Sequence, residues 1–227
     1  MAPGIGLAAL VLLSPGATPD PSLEPADNGC GQTAYVLRDA VQNDTFTWVL
    51  NVSSIPAYLD PGLATRAIDQ ATSTVARAES PCLLDQVTEA AQTVFGGTTH
   101  RHANITRDTD CFGAASSDGI SVVSFGPLPE NVVAVTCTYS EGGEIWQSDV
   151  LLNDKPGMFT LEPVDDCVDE FDLQSVMTHE RGHSFGIGHV PETEDSADLT
   201  MSAFMDRCDL AARTLGRGDV LGLGQIY

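Results

Sequence analysis

The stretch His179-Glu180-Arg181-Gly182-His183-Ser184-Phe185-Gly186-Ile187-Gly188-His189 brings three imidazoles and one carboxylate together within eleven residues. His179 and His183 are four positions apart, so on a helix they project from one face, about a turn apart, where one metal ion can bridge them. His189 cannot share that face at its spacing, so the chain must turn between His183 and His189. Gly186 supplies the turn, because glycine accepts the positive φ of a helix C-cap without steric cost, and Gly188 loosens the backbone again before the third imidazole. Three imidazoles with an open fourth position suit a catalytic zinc, whereas structural zinc sites are usually closed by four protein ligands.

Glu180 adds the base. It sits beside a ligand on the helix, able to reach a water at the open position but poorly placed to coordinate the metal itself. Zinc brings such a water to a pKa of roughly 7 and polarises a carbonyl. Glu180 can take the proton and later hand it to a leaving amine, which is peptide hydrolysis without a covalent intermediate. An HExxH pattern alone arises by chance in many helices, but Gly186 and His189 bring the fixed positions to five. The remaining histidines, His100 and His102, form an HxH pair that reads either as a solvated loop or, with Asp108 or Asp110, as a second zinc site.

The pattern HExxHxxGxxH resembles that of the metzincin metallopeptidases. That resemblance implies a methionine turn beneath the zinc, and Leu199-Thr200-Met201-Ser202 is similar to it. Met205 is a second candidate, and a plain core methionine is the commoner role of the residue type. From about Phe46 to Tyr227 the chain resembles a matrixin-type catalytic domain. The implied fold is α+β: a twisted, mostly parallel sheet with an antiparallel edge strand, an active-site helix and a C-terminal helix. The resemblance also makes residues 144–153 the edge strand, with 145–151 adding bound peptide as a further strand. Val190 stands where matrixins commonly have serine, and residues 191–199 form a longer, more acidic loop than theirs. A bacterial-type metzincin therefore fits better than an animal collagenase-like enzyme. Matrixin relatives also bind calcium, for which the many aspartates offer ligands without a regular spacing.

The elements that must carry these residues are legible in the periodicity. Residues 46–52 alternate as a half-buried strand. Residues 61–79 have a helical period through Leu63, Ala67, Ile68, Ala71, Val75 and Ala78, with Asp60 as N-cap and Pro81 beyond the end. Residues 119–125 and 131–136 read as strands, the zinc helix begins near Leu173, and residues 213–227 close the chain as a helix.

Length and composition suit one catalytic domain over residues 30–227: the chain has 227 residues, is 42% hydrophobic and 19% charged. A net charge of −22 disfavours nucleic acid and anionic membranes as partners and leaves protein or peptide substrates, met by a monomer. Residues 5–13 are an apolar run followed by Ser14-Pro15-Gly16-Ala17, which reads as a signal peptide over residues 1–17 lacking a basic start. Residues 18–29 then form a flexible lead-in, and ordered structure is expected from near Cys30. The stretch before Cys30 is too short for an ordinary folded propeptide.

Six cysteines without a CxxC pair argue for up to three disulfides in an oxidising, extracellular compartment. Cys167 and Cys208 bracket the zinc motif and are the favoured pair; Cys111 with Cys137 would leave Cys30 with Cys82. The sequence thus reads as a secreted zinc endopeptidase. Two other readings use the same residues: a catalytically silent zinc-binding interaction module, against which Glu180 speaks, and a narrow zinc amidohydrolase, which would need a closed pocket rather than an open groove.

Overall fold

A computed structural model describes residues 4–5, 9–13, 29–43, 45–82, 92–161, 167–193 and 196–227. In chain order the strands and helices are β1 (Gly4–Ile5), β2 (Ala9–Leu13), β3 (Val36–Leu37), β4 (Phe46–Leu50), α1 (Pro61–Ala76) and β5 (Thr93–Thr98). There follow β6 (Ser121–Gly126), β7 (Val132–Glu141), β8 (Glu144–Asn153), β9 (Phe159–Thr160) and β10 (Phe171–Asp172). The chain ends with α2 (Leu173–Ser184), β11 (Ile187–Gly188), β12 (Phe204–Met205) and α3 (Arg217–Ile226). The class is α+β.

The main sheet runs β12-β2-β7-β8-β6-β4-β5. Its body, β5, β4, β6 and β8, is parallel, and β7 joins β8 antiparallel. Here the structure corrects the sequence expectation. The run 144–153 lies inside the strand order, paired with β7 along Glu144–Leu152 and with β6 at Val150–Asn153, so it is not the border strand of the sheet; the antiparallel strand is β7. The alternation of 144–153 gives no warning, since a strand within a sheet and one at its border share the same period. β5 has no counterpart in the sequence reading, because Gly96 and Gly97 break its pattern. Strands β1 and β2 precede Cys30, ahead of the point where ordered structure is expected. Both lie along β7, within the run that reads as a signal peptide. Residues 14–28, most of the expected lead-in, lie outside the described residues.

α1 forms where expected because the Asp60 carboxylate accepts the Leu63 N–H at 2.8 Å and Pro61 opens the first turn. It stops three residues short of Glu79, the chain turning away through Ala78 at φ +49°. Its inner face, Ala64, Ala67, Ile68, Ala71 and Val75, meets α2 and the core. Burial of Ile68 and Val75 contributes about 1.5–3 kcal/mol each. The other sheet face has a smaller core of Ala103, Ile105, Val132, Val135, Cys137, Tyr139 and Leu151.

Three disulfides are present: Cys167–Cys208, the pair the sequence favours, with Cys111–Cys137 and Cys30–Cys82, which the sequence leaves open. They indicate an oxidising environment. Among the described residues no helix is long and apolar enough to cross a membrane.

Candidate metal centre

α2 begins at Leu173 because Asp172 caps it: the carboxylate accepts the Ser175 N–H at 2.8 Å and is gripped by Arg213 through Nε at 2.9 Å and Nη2 at 2.6 Å. Every α2 residue except Gln174 is buried, with α1, β7 and the chain around residue 201 packed about it. The helix ends at Phe185, and Gly186 follows at φ +100°. A Cβ there would meet the Ala40 carbonyl oxygen and Val41 Cγ1 at 3.0 Å, so both conformation and space demand glycine. Gly188 plays no comparable part. It is a strand residue in β11, opposite Val36 of β3, and does not form a second turn.

This turn brings the three imidazoles together. The Nε2 atoms of His179 and His183 lie 3.0 Å apart, those of His179 and His189 3.0 Å, and those of His183 and His189 3.1 Å. His179 Nδ1 meets the Thr200 carbonyl oxygen at 2.6 Å, and His183 Nδ1 meets that of Ile187 at 2.9 Å. A carbonyl can only accept, so each of these Nδ1 atoms carries the proton and each Nε2 presents a lone pair. Burial, then the neighbouring His189, lowers the His179 pKa to about 3; burial, then Arg38, lowers that of His189 to about 4. His183 is pushed well below its ordinary value for the same first reason. Neutral imidazoles with converging lone pairs repel one another unless a cation lies among them. Tetrahedral zinc at its usual nitrogen distance would set the nitrogens about 3.3 Å apart, close to what is found. The cluster could therefore hold a metal ion, and it is the only group of three or more such side chains among the described residues. His100 and His102 lie exposed in a loop and join no such group.

Met201 packs against α2 at Gly182. A Cβ on Gly182 would collide with its thioether, so glycine at that helix position lets the methionine approach α2 closely. Met205, the other candidate, belongs to β12 instead. Val190 donates its N–H to the Met201 carbonyl at 3.0 Å, tying the third imidazole's segment to the turn.

Glu180 is fully buried. Its Oε2 accepts a short hydrogen bond from the Thr136 hydroxyl of β7, while Oε1 has no hydrogen-bond partner among the described residues. Burial raises its pKa to about 8, against the opposing pull of Thr136, Arg38 and Arg181. A carboxylate so placed has one oxygen fixed and one open acceptor, with proton affinity near neutrality.

Four contributors are missed by the sequence reading. Thr136 orients the carboxylate from a strand the reading assigns to no site. Arg38 adds its charge near Glu180 and the imidazoles, and its backbone N–H donates to the Gly186 carbonyl at 2.8 Å. Arg181 is fully buried, bonded through Nε to the Thr72 hydroxyl at 3.0 Å and lying over the rings of Phe46 and Trp48. Asp219 of α3 accepts the backbone N–H groups of Thr200 at 2.9 Å, Met201 at 3.3 Å and Gly216 at 2.9 Å. Only Asp219 has a local signal, an acidic residue in the first turn of a helix opened by glycine.

A scan against protein-family models finds no match for the chain, and a search of the curated proteins finds no relative.

Proposed function

We propose that the protein is a secreted zinc-dependent endopeptidase of metzincin type, with His179, His183 and His189 as ligands and Glu180 as proton acceptor and donor. The observation that carries this reading is the pairing of a convergent three-imidazole cluster with a buried carboxylate that keeps one oxygen unpartnered. A site that only stored metal would have no use for the second feature. Zinc, when bound, would act as a Lewis acid toward a substrate carbonyl and a water.

The chain's own groups supply the rest. The Thr200 and Ile187 carbonyls fix the imidazole orientations. Thr136 holds Glu180 by one oxygen, leaving Oε1 to accept a proton and later release it to the leaving amine. Met201 packs against the ligand-bearing helix at Gly182. Three disulfides support an extracellular setting.

The test is cleavage of unfolded casein by the purified chain, with and without a zinc chelator, beside Glu180→Ala. The expected result is chelator-sensitive cleavage that is lost in the variant while one zinc per chain stays bound. Bound zinc without turnover of casein or of a broad peptide library would overturn the endopeptidase reading.

A further inference from the structure

Apart from the metal centre, we propose that the chain holds a buried halide ion at Arg181, where α1, α2 and β4 meet. Among the described residues Arg181 is the one fully buried side chain with a permanent positive charge. The six ion pairs use other cations, whose side chains are all at least 25% exposed. Arg181 donates through Nε to the Thr72 hydroxyl at 3.0 Å, while Nη1 and Nη2 are both buried without a hydrogen-bond partner. A guanidinium has five N–H donors and no acceptor, so the two terminal nitrogens leave all their donors unmet. Burying a charge in that condition is costly unless an acceptor is supplied.

The neighbours hold the group in place without meeting those donors. Phe46 and Trp48 of β4 take its face, their ring centres 5.0 and 5.1 Å from Cζ, and contact of this kind leaves the N–H edge free. The Thr72 hydroxyl fixes the guanidinium through Nε and spends its own proton on the Ile68 carbonyl at 2.8 Å. Ile68 and Ala76, one turn to either side of Thr72 on the buried face of α1, carry no side-chain acceptor. Glu180 and Asp149 contribute opposing charge. Glu180, however, is the adjacent helix position, where side chains diverge, and Asp149 already accepts from Val122, Asn104 and Gln147. Two more polar groups are left over at this junction. Trp48 Nε1 is buried and unpartnered, and so is the hydroxyl of Thr93, which stands opposite Phe46 in the sheet. Among the described residues the one buried, unpartnered side-chain atom that can only accept is Glu180 Oε1, which belongs to the metal centre.

A surplus of donors around one positive charge calls for one negative charge. Enclosure by two helices and a strand excludes a carboxylate or phosphate that arrives on a larger molecule, which selects a free halide; in the extracellular setting proposed above, that halide is chloride. The bound ion ties α2, the helix that carries His179 and His183, to α1 and β4, so its effect is read in stability.

The experiment is thermal unfolding of the full chain as purified, in sodium chloride, bromide and gluconate at one ionic strength, beside Arg181→Met, which keeps an apolar stem over Phe46 and Trp48 and removes the donors. A ligand at a hundred times its dissociation constant raises the folding constant about a hundredfold, which for a chain of this size is a Tm shift of about 5–10 °C. The expected result is a rise of that size that saturates with chloride or bromide, is absent in gluconate and is lost in Arg181→Met. In bromide-soaked crystals of the wild-type chain, an anomalous peak should lie within hydrogen-bond distance of Nη1 or Nη2, which decides the matter even where the variant fails to fold. Equal Tm in the three salts overturns the proposal and leaves water as the partner of these donors. A rise without a peak at Arg181, or one that survives in Arg181→Met, puts the ion elsewhere and overturns the site. A bromide peak without a Tm shift is binding at crystal concentration only, and overturns it too. None of these outcomes bears on the peptidase reading, which rests on other residues.

Discussion

Asp219 accepts the backbone N–H of Thr200 at 2.9 Å, and Thr200 returns its carbonyl oxygen to His179 Nδ1 at 2.6 Å. One carboxylate on the last helix thus fixes the orientation of a candidate ligand it never touches. Replacing it should act on the metal. Asp219→Ala leaves three backbone N–H groups without their acceptor and frees the turn that aims His179. Outer partners of this kind are worth about 10- to 100-fold in metal affinity. The expected outcome is weakening of that size in zinc affinity, read by competition with a chelating dye; unchanged affinity would remove Asp219 from the support of the site.

Thr136→Val keeps the shape of the strand and deletes the hydroxyl that holds Glu180. A hydrogen bond to a charged group is worth about 1.5–3 kcal/mol, or roughly 10- to 100-fold in rate if it is needed in the transition state. Casein cleavage should fall by that factor in kcat while zinc content stays at the wild-type level. Equal loss of zinc and of rate would show that the residue serves folding alone.

Gly186→Ala tests the turn between the second and third imidazoles. The positive φ and the approach to Ala40 and Val41 together predict a loss of about 1–3 kcal/mol in unfolding free energy. Because the strain sits between His183 and His189, zinc affinity should fall with stability in denaturant titrations of the metal-free and loaded chain. A variant as stable as wild type would show that the turn relaxes.

The sequence discloses the ligand cluster almost completely, because His179, His183, Gly186 and His189 are consecutive parts of one local structure. α1 and α2 are equally local: Asp60 announces the first, and Asp172, unused in the sequence reading, caps the second. What could not be read is what the sheet brings together over long separations. Thr136 reaches Glu180 from 44 positions away, and Arg181 finds Thr72 across 109. The place of 144–153 in the sheet is hidden for the same reason: only the pairing partners tell an interior strand from one at the border. The run 5–13 reads as a leader by composition, and apolar composition alone does not reveal that Ala9–Leu13 has a place beside β7.

Asp149 offers a test of the fold remote from the metal. It is buried in β8, where its carboxylate accepts from Val122 N at 2.8 Å, Asn104 N at 3.0 Å and Gln147 Nε2 at 2.9 Å. Burial raises its pKa from 3.8 to about 6 against those three donors, with the nearby Asp118 charge adding to the rise. The folded chain therefore binds this proton more tightly than the unfolded chain does. Its contribution to stability is present in full below pH 4 and is lost as pH rises toward 6. A shift of that size corresponds to at most ~3 kcal/mol. Asp219, raised to about 6 by the same cause, adds a second term of the same sign. Asp149→Asn should flatten the unfolding free energy between pH 4 and 6 by up to that amount and leave the Asp219 share. Denaturant unfolding of both forms of the metal-free chain across the window measures the difference in slope, and parallel curves would show that Asp149 is ionised throughout it.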